Sequence, residues 1–324
     1  MNAESWLHHA LRNRLQSLLM LLVMAGFMAL LGWMLWGEQG VQWLLWLTVL
    51  LILLNPAISP QVVLRMYHAS PVSPRQLPGL HQALRILAER AGLERTPDLY
   101  YVPSQVLNAF SVGNRRNAAI AVSDGLLQRL DNRELLGVLA HEVSHVQHND
   151  MWVMGLADLF SRITSTLSLF GQFLLFINLP LILLSQATIS WAAIALLIFA
   201  PQFSALAQLA LSRVREYDAD LNAARLTGDP MGLASALAKL EQHNGGMLER
   251  ILLPGRRTPE PSLLRTHPPT EERIRRLQSL LDSKQLEPQR AEAFREPLSG
   301  FDVRKAFPAP VQRRPRRHLN GLWH

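Results

Sequence analysis

The chain has 324 residues, 49% of them hydrophobic and only 18% charged, with a net charge of +7 and no cysteine. Disulfides, thiolate metal ligation and cysteine nucleophiles are therefore excluded. The charge is confined to segments between long apolar runs, which is the profile of a membrane protein with a water-exposed part. No basic-aromatic platform for nucleic acid accompanies the positive charge, so nucleic acid is not an expected partner.

The first apolar run, Leu15 to Trp36, carries no charge and is long enough to cross a hydrocarbon core of about 30 Å as a helix. It is too long for a signal peptide, and no small-residue cleavage site follows. After the link WGEQG comes a second run, Val41 to Ile58, and the two are expected to form a hairpin. From Pro60 to Arg162 arginines and acids are spread as on a soluble surface. Leu80, Leu84, Leu87 and Ala91 recur at helical spacing before Gly92 and Pro97, while LYYVP and Asn117–Ser123 alternate like short strands. The stretch DNRELLGVLAHEVSHVQHND then reads as a helix, capped by Asp131 with Glu134 three residues on.

Ile163 to Ser212 is a block of 50 residues without Asp, Glu, Lys or Arg. As one helix it would be about 75 Å long, far beyond a single crossing. An interruption around Asn178–Gln186, containing Pro180, predicts two helices with a tight turn. The hairpin tips near Glu38 and Asn178–Gln186 lack Arg and Lys, whereas the N-terminus, residues 60–162 and everything after Ser212 are rich in Arg. Positive segments stay in the cytoplasm, so both hairpins are expected to enter the bilayer from that side. Past Ser283 the chain turns Pro- and Arg-rich, a basic tail suited to anionic lipid.

The chemistry lies in HEVSH. On a helix, His141 and His145 are four apart and share a face, so both imidazoles can converge on one metal, and Glu142 stands beside them to take a proton from water. The residue types suit zinc, which needs a third protein ligand and an open fourth position. The candidate is Glu216 in SRVREYDAD, after the second apolar block. Asp220, one turn later, can hydrogen-bond a histidine ligand or fix an arginine. His148 shares the face of His141 and His145, but the span from 141 to 148 is about 10.5 Å along the axis, too far for all three to reach one ion on an unbroken helix.

HEVSH, then SRVREYDAD after an apolar hairpin, then THPPTEERI (Thr266–Ile274) together resemble the HtpX-type membrane zinc metallopeptidases, relatives of the CAAX prenyl endopeptidases. NAFSVG (Asn108–Gly113) and AVSDGLLQRL (Ala121–Leu130) extend the likeness, which runs from about Pro78 to Leu280. The resemblance implies His141, His145 and Glu216 as ligands of one Zn2+ per chain and Glu142 as general base. It implies that Asn108 and Ala109 lie on an edge strand that aligns substrate backbone, that His267 assists at the scissile carbonyl, and that Arg273 pairs with Asp220. His148 and Asn149 stand where the family pattern has smaller or amide residues.

The expected architecture is a mainly α membrane protein: four transmembrane helices and a cytoplasmic zincin-like α+β catalytic domain with a small sheet. Residues 1–59 form the first hairpin, 60–162 and 213–282 the two parts of the catalytic domain, 163–212 the second hairpin and 283–324 the tail. The expected activity is zinc-dependent hydrolysis of misfolded or unassembled membrane proteins at the cytoplasmic face of a bacterial inner membrane. The other readings are a prenyl endopeptidase, an intramembrane metalloprotease, and a non-catalytic scaffold stabilised by zinc. The polar flanks of the HEVSH helix, from Arg129 to Asp150, oppose burial of that helix in lipid.

Overall fold

The structure, a computed structural model, describes residues 3–54, 60–183, 191–243, 269–282 and 294. The chain divides into two compact units. One comprises residues 1–10, 57–151 and 215–324, the other residues 11–56 and 152–214.

The second unit is built from long apolar helices. Helix α1 (Ala3–Leu54) is broken at Trp36 and Gly37, where Gly37 has φ +63°, inside the predicted link. The two legs cross so closely that a Cβ on Gly40 would lie 2.1 Å from the Gly32 carbonyl oxygen. Only glycine at both positions allows that approach. Helices α6 (Asp150–Leu183) and α7 (Trp191–Thr227) flank the second apolar block. Phe27 of α1 stacks on Phe203 of α7 at 4.3 Å between ring centroids, and the Thr164 hydroxyl of α6 lies 3.2 Å from the Met28 sulfur. Large apolar side chains nevertheless face outward: Trp43, Leu169, Phe176 and Trp191 are each about 70% exposed.

Three described helices are long and apolar enough to cross a membrane: Leu15–Met34, Asp150–Ile177 and the helix Trp191–Thr227. The fourth expected crossing, Val41–Ile58, is helical as far as Leu54, and its remainder lies outside the described residues. The second apolar block forms two helices, as the expected interruption around Asn178–Gln186 implies. Helix α6 runs through Pro180 to Leu183, because proline removes a single hydrogen bond from an otherwise satisfied helix. Residues 184–190, where the turn would fall, lie outside the described set.

The first unit holds helices α2 (Pro60–Met66), α3 (Pro78–Arg90), α4 (Asp124–Arg129), α5 (Asn132–Gln147), α8 (Pro230–His243) and α9 (Thr270–Asp282). Its sheet has strands β1 (Ser70–Pro71), β2 (Asp98–Val102), β3 (Ala109–Gly113) and β4 (Ala118–Ser123) in the order β1-β2-β4-β3. Strand β2 is parallel to β4, and β1 and β3 are antiparallel to their neighbours, with Phe110 opposite Ala121. Alternation divides β4 between two cores. Ile120 and Val122 join the main cluster with Leu84, Leu87, Leu139 and Leu233, while Ala119 and Ala121 pack with Leu64 and Phe110. Phe294 is buried in the main cluster, with the Arg90 guanidinium 4.7 Å above its ring.

Candidate metal centre

Helix α5 starts where its sequence says it should. Asp131 accepts the Glu134 backbone N–H, and the Glu134 carboxylate accepts the Asp131 N–H, a reciprocal cap. The remaining Glu134 oxygen valences take the Ser235 hydroxyl and the Lys239 ammonium of α8, each at 2.6 Å. Burial pushes the Glu134 carboxyl up, but the ammonium, the hydroxyl and the backbone N–H together hold it below its ordinary 4.5. On the same helix Gly137 has no side chain because the α8 backbone occupies the space: a Cβ there would lie 2.7 Å from the Leu233 nitrogen.

One face of α5 presents His141 and His145 to the last turns of α7, which present Glu216. These three residues form the one group of potential metal ligands among the described residues, with ligand atoms within 4.8 Å of one another. Individual separations are tighter: 3.0 Å between the two Nε2 atoms, 3.4 Å from His141 Nε2 to Glu216 Oε2, and 3.6 Å from His145 Nε2 to Glu216 Oε1. A tetrahedral ion with bonds of about 2.0–2.1 Å requires ligand atoms about 3.3–3.4 Å apart. The triangle has the right size for such an ion.

Proton accounting makes the same point. His141 Nδ1 lies 3.0 Å from Asp220 Oδ1, and His145 Nδ1 lies 2.7 Å from Asp150 Oδ2. An ionised carboxylate only accepts, so each Nδ1 carries the hydrogen and each neutral imidazole turns a bare Nε2 lone pair inward. Two lone pairs and a carboxylate then face one point, which is unfavourable without a cation. The field there reflects this. Burial lowers the pKa of His141, but the Asp220 and Glu216 carboxylates outweigh it and raise the value to about 10. A divalent cation satisfies the same field by displacing that proton.

Each orienting carboxylate is itself gripped. Arg273 of α9 donates to both oxygens of Asp220, at 2.6 and 2.7 Å, and its Nη1 lies 3.2 Å from Glu216. Burial disfavours the Arg273 charge, but the two carboxylates more than compensate and keep it protonated. Arg215 pairs with Asp150. Asn222 of α7 donates to Ser144 Oγ and Gln147 Oε1 of α5, locking the two helices in register.

Glu142 is buried next to His141, with no hydrogen bond or ion pair among the described residues. Ala109 opens β3, the edge strand, and the backbone N–H of Asn108 just before it donates to Ser123 Oγ. His267 lies outside the described residues. His148 stays out of the ligand group: its Nδ1 lies 3.0 Å from the Ser144 carbonyl of its own helix, and its Nε2 is 4.0 Å from Asp218. Tyr217 packs under the Arg276 guanidinium, 3.6 Å from its ring centroid. Sequence reasoning did not single out Asp150 and Arg215 as site residues. The available signal was an acid five residues after the second histidine, following Asn149, which tolerates φ +54° and turns the chain back.

Residues 74–281 match peptidase family M48. The chain belongs to this family. Relatives agree along most of its length. A protease HtpX homologue from Sulfurihydrogenibium sp. is 35% identical over 83% of this chain and 96% of its own. One from Campylobacter hominis is 34% identical over 81% and 97%, and one from Kineococcus radiotolerans 38% over 68% and 79%. The crystal structure of S. mikatae Ste24p aligns with 83% of this chain and 66% of its own, at 19% identity and a TM-score of 0.44. The resemblance drawn from the motifs therefore holds, and this M48 peptidase is a membrane metalloprotease.

Proposed function

We propose that this M48 peptidase is a zinc endopeptidase of a bacterial inner membrane. Its catalytic unit faces the cytoplasm and cuts exposed segments of misfolded or unassembled membrane proteins. One observation carries the zinc chemistry: three ligand atoms at tetrahedral spacing stand beside a buried carboxylate, Glu142, that has no hydrogen bond or ion pair among the described residues. A purely structural metal site has no use for such a base.

His141, His145 and Glu216 would hold the ion. Zinc supplies Lewis acidity there, which makes water acidic and polarises a carbonyl. Glu142 takes a proton from the water that adds to the scissile carbonyl carbon. It then delivers that proton to the amide nitrogen as the C–N bond breaks. Asp220, clamped by Arg273, keeps His141 in the tautomer that ligates. The outer edge of β3, beginning at Asn108 and Ala109, aligns substrate as an added strand, with backbone hydrogen bonds that tolerate varied side chains. The family resemblance supports His267 as the residue that assists at the carbonyl oxygen. The exposed apolar helices and the Arg-rich segments around them support a multi-pass anchor with the catalytic unit on the cytoplasmic side.

The test is cleavage of unfolded casein by detergent-purified protein, stripped of metal and reloaded with zinc, wild type beside Glu142→Gln. The expected result is that zinc restores wild-type cleavage only. The variant should bind one zinc per chain yet cut about 10²–10⁴-fold more slowly. Equal cleavage by both removes Glu142 as the base. Zinc binding without cleavage in either favours a metal-stabilised scaffold.

A further inference from the structure

Each histidine has a buried carboxylate beside its Nδ1, and only one of the two carboxylate–arginine pairs, Asp220 with Arg273, was anticipated by the sequence. The other pair, Asp150 with Arg215, stands at His145. Asp150 is the first residue of α6, two residues beyond His148, the C-cap of α5. The chain reaches it through Asn149, whose left-handed φ of +54° reverses direction and returns Asp150 towards α5. Its Oδ2 is 2.7 Å from His145 Nδ1, and its Oδ1 takes the guanidinium of Arg215. All three side chains are buried. Arg215 immediately precedes the third ligand, Glu216, on α7. One short segment of α7 therefore supplies both a ligand and the partner of the carboxylate that orients another.

We propose that Asp150, held in place by Arg215, is a positioning residue for the metal centre. It fixes His145 as the Nδ1–H tautomer, with Nε2 aimed at the ion. This rests on the metal-site reading above. The geometry separates this role from a helix tie. A tie between α6 and α7 needs only Asp150 and Arg215, yet the second Asp150 oxygen is spent on His145 at 2.7 Å, within the range of a charge-assisted hydrogen bond. A carboxylate there also makes His145 a stronger donor to the metal, because it stabilises the positive charge that ligation draws onto the ring.

The experiment measures metal affinity, not activity. Full-length protein in detergent is stripped of metal and titrated with zinc against a chromophoric chelator, and with Co2+ for its visible absorption spectrum. Wild type, Asp150→Asn, Asp150→Glu and Asp220→Asn are compared, with metal-free thermal unfolding of each. Asparagine cannot accept from both His145 and Arg215, so Asp150→Asn should lower zinc affinity about 10–100-fold. Asp220→Asn should behave alike, and both should alter the Co2+ spectrum. Asp150→Glu keeps the charge for Arg215 but displaces it by one methylene, so it should fold and still bind zinc more weakly than wild type. In a His145→Ala background, Asp150→Asn should add nothing to the loss. Wild-type affinity and spectrum in the Asp150 variants, with only a lower unfolding temperature, would overturn the proposal in favour of a helix tie. An effect that persists without His145 would overturn it too. Failure of wild type itself to bind one zinc sinks the metal-site reading instead, and is seen before any variant is compared.

Discussion

The ligand set can be tested one residue at a time, and His148 is the informative control. By sequence it shares a face with both histidine ligands. In the structure its ring is engaged with the carbonyl of Ser144, and Glu216 closes the triangle instead. His148→Ala should therefore leave zinc stoichiometry at one per chain and affinity unchanged, while Glu216→Ala should cost more than the roughly 10–100-fold typical of losing an outer hydrogen-bond partner. Equilibrium titration of both variants decides between them. At this scale much was legible from spacing. Two histidines four apart converge on any helix, and an acid pair four apart on a later helix can meet them. Asp150 was harder to find, because its role depends on a one-residue left-handed turn at Asn149 that no periodicity reports.

Among the elements, α5 carries the site, and its start is its most checkable feature. Glu134 caps the helix and ties it to α8 through Ser235 and Lys239. Because the folded-state carboxyl is held below its ordinary value, its contribution is fully present above the unfolded pKa. It is lost as pH falls through the lower, folded value. Glu134→Gln should destabilise the protein by about 1–2 kcal/mol near neutrality, given one charge-assisted bond lost and the neutral ones partly kept. The gap between variant and wild type should then shrink as pH drops below about 4. Thermal unfolding across pH 3–7 measures it, and a gap independent of pH would mean that the ionised form is not what the cap uses. The cap, the apolar face of α3 and the alternation of β4 could all be read from local patterns. The sheet order could not. It places β4 between β2 and β3, so that β4 is buried on both faces while β3 lies at the edge of the sheet among the described residues, and that depends on contacts across the fold. Within the stretch expected to interrupt the second apolar block, α6 continues past Pro180 to Leu183, because inside a long apolar helix proline costs one hydrogen bond.

For the whole molecule, the arrangement of charge and apolar surface makes a claim about topology that the absence of cysteine allows to be tested cleanly. A single introduced cysteine is the only thiol in the chain. Glu38 sits one residue past the break in α1, in a hairpin without Arg or Lys at its tip. Arg116 sits with Arg115 in the turn between β3 and β4, on the unit that carries the metal ligands. If positive segments are retained in the cytoplasm, Glu38→Cys should react with a membrane-impermeant maleimide in intact spheroplasts, and Arg116→Cys only after the membrane is opened. Neither position touches the metal ligands, so both variants should remain active, which ties the labelling pattern to functional protein. Labelling of Arg116→Cys from outside would put the peptidase site on the far face. It would replace cytoplasmic segments of membrane proteins with exported ones as the reachable substrates, while leaving the chemistry of His141, His145, Glu216 and Glu142 as argued. The metal site and the orientation thus rest on different physics, convergent lone pairs in one case and charge asymmetry across a bilayer in the other, and each can fail without the other.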